Sequence, residues 1–380
     1  FTPSSCVTAA DFDRDGDLDV FVGGRREILK YGASGMSYLL ANDGKGRFTD
    51  VTEIVFPPSR DFAGSTSELS KPGMVTDAAW ADVDKNGWPD LLVVGDFMSL
   101  TIFKNQSGRF TKTEIPHTHG LWNCLTTGDF NNDGRVDFVA GNIGLNHGYG
   151  ITPQTPLRVY VKDFDSNGYA DPLVTYYVNG QEMPAASRDE LTKQLPALRR
   201  KFPDYASYAR ASLSAIFDAT QLQSAEIQTA TLAESVWAEN TGNGNFTIHK
   251  LPPEVQMAPV RCWLAEDINQ DGYTDLLGVG NSFSPTVSMG RMDASCGWVL
   301  LNTGKGTFQA ASSAASGLRI PGDARRIIRI RGKQPLYVVV RNQDSLQTFL
   351  RQRAVSRKTL ATSQSVSQNK RQKRRLFEAF

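Results

Sequence analysis

One nine-residue spacing returns five times along the chain, and it limits what the chain can fold into. It reads Asp, any residue, Asp or Asn, any residue, Asp or Asn, Gly, any two residues, Asp. The first copy holds Asp11, Asp13, Asp15, Gly16, Asp17 and Asp19. The second holds Asp82, Asp84, Asn86, Gly87, Trp88 and Asp90, and the third Asp129, Asn131, Asp133, Gly134, Arg135 and Asp137. The fourth holds Asp163, Asp165, Asn167, Gly168, Tyr169 and Asp171, and the fifth Asp267, Asn269, Asp271, Gly272, Tyr273 and Asp275. In such a loop alternate side chains turn inward, glycine at position 6 permits a sharp turn, and oxygen is the only ligand type. That donor set suits a hard cation, and calcium is the expected ion. Positions 1, 3, 5 and 9 would supply side-chain oxygens. Position 7 would supply a backbone carbonyl, which leaves Asp17, Trp88, Arg135, Tyr169 and Tyr273 free to differ. A single acidic turn can equally be a solvated loop; five copies argue for metal binding.

These loops are not EF-hands, which need a bidentate Glu at position 12 and flanking helices. Position 12 is Val22, Val93, Ala140, Val174 and Gly278. Each loop is followed by a short apolar run, such as Leu91 to Val94 or Phe138 to Ala140, which reads as a buried strand. A second motif repeats as well: a strand, a turn of Asn and Gly, then an aromatic restart. It occurs at Leu39 to Phe48, Val236 to Phe246 and Val299 to Phe308, with a shorter copy at Ile102 to Phe110. Asn and Gly supply the positive-φ positions of a tight hairpin. Each unit is therefore four strands: one into the metal loop, one out, and a hairpin. Four-stranded units repeated around an axis make a β-propeller, so the expected fold is all-β, with about six readable blades.

In chain order, unit one covers about 4–53 and unit two about 74–115, joined by a polar connection over 54–73. Unit three starts near Leu121, and its outer half is hard to read because Asp163 follows Asp129 so closely. The segment Asn142 to Pro156 reads as a long loop. Unit four begins at Leu157 and is split by an insertion. There Ser187-Arg188-Asp189-Glu190 is a capping box ahead of Leu191, Leu195 and Leu198 at helical spacing. Pro196 is expected to kink that helix, Pro203 to end it, and Asp204 to cap a second. The helical insertion is placed at 187–232, as a lid on the propeller or a platform for a partner. Unit five is about 259–310. A sixth unit without a metal loop is suggested by Arg326 to Ile330, Leu336 to Val340 and Leu346 to Leu350.

The propeller is expected over 1–352. Residues 353–380 carry eight Lys or Arg against Glu378 and read as a basic, disordered tail. With a formal charge of +1 for the whole chain, the remainder is mildly acidic. The tail lacks interleaved aromatics, so nucleic-acid binding is not expected. No apolar run is long enough to span a membrane. Cys6, Cys124 and Cys262 each lie five residues before the first Asp of a loop, one repeat position on separate units. Cys296 opens a later strand of the unit holding Cys262. Strands separated by another lie too far apart to bridge, so free buried thiols are expected.

The loops, followed by Asn-x-Gly-x-Gly-x-Phe, resemble FG-GAP/VCBS repeats, the blades of integrin α propellers. They are most similar to large bacterial proteins of the cartilage-acidic-protein-like group. Lys71 to Asp77, Gly141 to Asn146, Ala186 to Leu191 and Pro321 to Arg325 share that likeness. The resemblance implies structural calcium loops on the face away from any ligand, and it supplies no catalytic residues. It also implies that further loop-bearing blades precede this stretch, so the chain is expected to be a piece of a protein with seven or eight blades. The tail is not covered.

The function these residues favour is a calcium-stabilised, extracytoplasmic binding or adhesion module for protein or glycan. The location is inferred from the weak, roughly millimolar affinities of extracellular calcium modules. The alternative is a polysaccharide-active enzyme on a propeller scaffold. Catalysis needs a base or nucleophile with an orienting partner. The histidines offer little: His117 and His119 flank a threonine, His147 lies in the unit-three loop, and His249 follows a hairpin. No nucleophile-elbow or phosphate-loop spacing is present. A ligand surface is expected opposite the metal loops, with Asn146, His147 and Tyr149 offering hydrogen-bonding and stacking groups.

Overall fold

The computed structural model of the protein describes residues 3–57, 68–283, 290–304, 306–332 and 334–351. The expected basic tail at 353–380 and residues 58–67 of the polar connection lie outside them. The chain is built from antiparallel sheets with few helices. Sheet one runs β1 (Ser4–Ala10), β2 (Asp19–Gly24), β3 (Tyr38–Asn42), β4 (Phe48–Asp50), in that spatial order. Sheet two repeats it with β5 (Met74–Ala81), β6 (Asp90–Met98), β7 (Thr101–Gln106) and β8 (Arg109–Glu114); a short β9 (Gly120–Leu121) pairs with the far end of β6.

Sheet three begins with β10 (Cys124–Gly128) and β11 (Asp137–Gly141), and then the chain leaves it. It forms β12 (Leu157–Lys162), β13 (Asp171–Val178), β14 (Gln181–Pro184), five short helices between Arg188 and Gln223, and β15 (Glu226–Ala230). Only then do β16 (Val236–Gly242) and β17 (Asn245–Lys250) complete sheet three, with Phe138 opposite Ala238. This corrects the expected order of units. The Val236 hairpin belongs to unit three, and the fourth loop sits in an inserted sheet of order β14-β13-β12-β15. Pairing across about a hundred residues leaves no trace in local periodicity, which explains the misreading.

Sheet four is β18 (Val260–Glu266), β19 (Asp275–Gly280), β20 (Trp298–Asn302) and β21 (Phe308–Ala311), again in simple order. Sheet five has three strands among the described residues: β22 (Ala324–Ile330), β23 (Leu336–Arg341) and β24 (Gln347–Leu350). Six units in series therefore become five, the last three-stranded, with one inserted sheet.

The second strand of each sheet explains the apolar runs. Side chains alternate between faces, so a strand packed on both faces must be apolar throughout. Leu91 and Val93 of β6 face the core shared with Phe21 and Leu39 of sheet one. Leu92 and Val94 face the core shared with Phe138 and Val236 of sheet three. Val139 and Leu276 meet between sheets three and four, and Leu277 and Val339 between sheets four and five. The five sheets thus stack face to face in series, and their first strands β1, β5, β10, β18 and β22 are successive neighbours.

The insertion packs differently. Its helices cover Tyr160 and Leu173 on one face of the inserted sheet, while Val159 and Val161 on the other meet Met74 and Phe97 of sheet two. The Ser187–Glu190 capping box is present, but the first helix stops at Gln194, ahead of Pro196 rather than kinked through it. Asp204 caps as expected, accepting from the Ser207 amide.

All four cysteines are free. Cys124 and Cys262 are buried and Cys6 half-buried; burial pushes the Cys6 thiol up to about 11. Cys296 is exposed, contrary to expectation, because it lies in the turn before β20 rather than in a strand.

Candidate metal loops

All five loops share one backbone. Position 6 is glycine with φ between 77° and 100°. Position 4 is also left-handed, at Arg14, Lys85, Asn132, Ser166 and Gln270, with φ between 57° and 64°. That conformation is unfavourable for most side chains, so the loop's own hydrogen bonds must hold it. The position-1 carboxylate accepts the Gly amide in every copy, from 2.7 Å at Asp163 to 3.1 Å at Asp11. The position-5 side chain accepts the position-7 amide in every copy, at 2.7 to 3.1 Å.

The position-9 aspartates play a different part from their neighbours. Asp19, Asp90, Asp137, Asp171 and Asp275 are buried. Each uses Oδ2 to accept the amide at position 2, at 2.9 to 3.1 Å. In the four loops of the series Oδ1 accepts the backbone amide of an Asn near the end of the third strand: Asn42, Asn105, Asn240 or Asn302. In the inserted sheet Gln194 stands in, at 3.4 Å from Asp171. Burial pushes Asp90 and Asp137 up to about 6 even though these amides pull the other way.

The Asn side chains then tie one sheet to the next. Asn105 Nδ2 donates to Phe12 O at 2.8 Å, Asn240 Nδ2 to Val83 O at 2.7 Å, and Asn302 Nδ2 to Phe130 O at 2.7 Å. Each acceptor is position 2 of the loop on the preceding sheet. Position 4 also reaches forward: Arg14 donates to Gly87 O and lies over the Trp88 ring, and Asn132 Nδ2 donates to Gly272 O at 3.2 Å. Spacing alone does not mark these residues as functional: the Asn suits a tight turn, and position 4 has no shared side chain.

Three loops bring carboxylates close enough for one ion. The ligand atoms of Asp11, Asp13 and Asp15 lie within 4.8 Å of one another, as do those of Asp82, Asp84 and Asp90, and of Asp163, Asp165 and Asp171. Loops three and five have an amide at position 3 instead, and Asn131 and Asn269 each donate 2.8 Å hydrogen bonds to the position-5 carboxylate. In loop one, Asp11 Oδ1 and Asp17 Oδ1 are shielded from solvent without a hydrogen-bond partner. Burial and the surrounding carboxylates raise Asp17 above the usual range. Unpartnered, mutually repelling oxygens fit a cation better than they fit an isolated turn.

At the opposite end, Asn146 is exposed and its Nδ2 donates to Met257 O. His147 Nδ1 accepts the Tyr149 amide at 3.2 Å, and burial lowers the imidazole, which favours its neutral form. Tyr149 packs edge-on to Tyr176. His119 lies against Ser99, and no histidine joins a metal-ligating group among the described residues.

Residues 11–93 and 82–140 match the FG-GAP-like repeat family model. Over residues 11–140 the chain carries FG-GAP-like repeats. That stretch takes in loops one, two and three. None of the curated proteins searched matches the chain. Among solved structures, the V. cholerae biofilm matrix protein Bap1 is 10% identical, with 91% of this chain and 76% of that chain covered at a TM-score of 0.28. Polycomb repressive complex 2 of Chaetomium thermophilum is also 10% identical, covering 91% and 66% at a TM-score of 0.26. Likenesses of that size carry no argument about this chain. No helix among its described residues is long and apolar enough to cross a membrane.

Proposed function

We propose that the chain is a calcium-stabilised, extracytoplasmic β-propeller that binds protein or glycan without turning it over. The observation carrying this reading is the shared loop backbone, with carboxylates gathered in three copies and unpartnered oxygens in loop one. Neighbouring first strands and face-to-face stacking support the radial arrangement.

Positions 1, 3 and 5 of each loop would hold the ion, position 9 would add its carboxylate, and position 7 its carbonyl. Calcium supplies positive charge that offsets carboxylate repulsion. The chain's own part is to fix the loop through the position-9 latch before any ion arrives. Millimolar calcium outside the cell suits loops of this openness. The binding surface is assigned to the end of the series away from its loops, around Asn146, His147 and Tyr149. The helices occupy Arg188 to Gln223 rather than 187–232, since β15 follows, and they pack beside loop four, where Gln194 reaches Asp171 and Phe217 meets Phe164.

Scanning calorimetry with excess calcium and with chelator tests the metal reading. Several sites each held at about ten times their Kd give a combined shift on the order of 10 °C. An unchanged melting curve refutes it. Glycan and protein arrays probed with calcium-loaded protein test the binding reading, and cleavage of a pooled polysaccharide would replace it with the enzyme reading.

A further inference from the structure

The first strands of four sheets, with the residue leading into the fifth, line a polar cavity of about 460 Å³. Into it come Ser5 from β1, Asp77 from β5, Asn123 ahead of β10, Arg261 from β18, and Arg325 and Arg326 from β22. The volume is in the range of small-molecule sites.

The charges in this cavity do not balance. Arg325 is paired with Asp323 at 2.6 Å, and nearby Arg25 with Asp96 at 2.6 Å. Both oxygens of Asp77 accept backbone amides, from Ala78 and Leu125. Arg261 donates to Asn123 Oδ1 and to Asn281 O, and among the described residues it forms no ion pair. Arg326 forms none either. Two guanidiniums therefore face the cavity against a single carboxylate. Burial and the neighbouring Arg325 charge push Arg261 down to about 10, only partly offset by Asp96 and Asp323, which are themselves paired with Arg25 and Arg325. A desolvated cation whose nearby carboxylates are already shared is costly, and an anion entering the cavity would relieve it.

We propose that this cavity binds one carboxylate group, carried by an acidic sugar or a small organic acid, between Arg261 and Arg326. The guanidinium fork matches a planar carboxylate in two-point contact. The surplus is a single positive charge, which favours a monoanion over phosphate. Ser5 and Asn123 add polar groups for sugar hydroxyls. This site involves neither the metal loops nor the surface assigned above, so it stands if either of those readings fails.

Isothermal titration of the calcium-loaded chain with glucuronate, glucose, acetate and inorganic phosphate decides it. Glucuronate should bind with a Kd of millimolar or below, glucose should give no heat, and phosphate should bind at least about tenfold more weakly. Acetate equal to glucuronate assigns the site to a small organic acid; weaker acetate assigns it to an acidic sugar. Arg326 is exposed, so Arg326→Gln should fold normally and weaken glucuronate by about tenfold or more. Arg261→Gln should abolish binding, and should it fail to fold, the Arg326→Gln result still decides. Glucuronate no better than glucose, phosphate as tight as glucuronate, or unchanged affinity in Arg326→Gln overturns the proposal.

Discussion

Loops one and three have the same backbone and different charge. In loop one Asp11, Asp13 and Asp15 converge, Asp17 adds a fourth charge at position 7, and two oxygens have no partner. In loop three Asn131 replaces the second carboxylate, and Arg135 at position 7 pairs with Asp133 and donates to Asn240 O at 2.6 Å. Loop three thus holds a guanidinium against its own carboxylates, whereas Arg14 of loop one reaches away to Gly87 O of the next loop. Since both share φ > 0 at positions 4 and 6 and the same position-9 latch, loop shape and loop charge are set separately. Shape comes from buried hydrogen bonds to the third strand; charge comes from the residues between.

The largest effect should come from breaking the latch. Asn240 is buried, and its Nδ2 holds Val83 O and Val136 O. Asn240→Ala leaves both carbonyls unsatisfied and should cost about 2–4 kcal/mol in chemical unfolding. Asn42 reaches only Leu18 O, at 3.2 Å, so Asn42→Ala should cost about 1 kcal/mol or less. Equal costs would break the view that the latch is what ties sheet to sheet.

Acidity is the next lever. Asp90 and Asp137 sit at about 6 in the fold, above the ordinary Asp value near 3.9. A raised carboxylate contributes stability that is complete below about 3.9 and is lost as pH rises through about 6. In chelator, the melting temperature attributable to these groups should therefore fall by a few degrees, on the order of 3–5 °C, between pH 5 and 7. Saturating calcium should abolish or reverse that fall, because the ion favours the charged form. A parallel decline with and without calcium would mean that the position-9 aspartates lie outside the ion's reach.

Exchanging position 3 sharpens the comparison. Asp13→Asn should weaken calcium at loop one by roughly tenfold, and Asn131→Asp should strengthen loop three by a similar factor, both read by titration calorimetry. The smallest change is Arg135→Gln. Its ion pair with Asp133 is part-exposed, so release of Asp133 should raise loop-three affinity only about two- to fivefold. Weaker binding in that variant would show Arg135 to be a support of the loop rather than a competitor of the ion.

The acidic loops were legible in the sequence because they reside in side chains at fixed spacing, Asp11 to Asp19 and its four relatives. The strands were legible from the apolar runs after each loop, which two-sided packing requires of Leu91 to Val94. The latch was half visible: Asn42, Asn105, Asn240 and Asn302 recur, but only the fold shows Asn105, Asn240 and Asn302 reaching the preceding sheet. The left-handed position 4 was invisible, since Arg14, Lys85, Asn132, Ser166 and Gln270 have no common chemistry. His147 accepts the Tyr149 amide through Nδ1, a contact no spacing announces, while its Nε2 has no hydrogen-bond partner.

The interruption of sheet three also sets the order in which the molecule can be made. Between Asn142 and Ser235 lie 92 residues, yet the Asn142 amide donates to Ser235 Oγ at 2.9 Å and its Nδ2 to Leu232 O at 2.9 Å. A ribosome adding about 5–20 residues per second needs roughly 5–20 s to cross that stretch. Throughout that interval β11 has emerged with its β16 edge unpaired, while sheets one and two can already be complete. The inserted unit closes on itself through β12 and β15, so its two ends return to one point and deliver β16 beside the waiting strand.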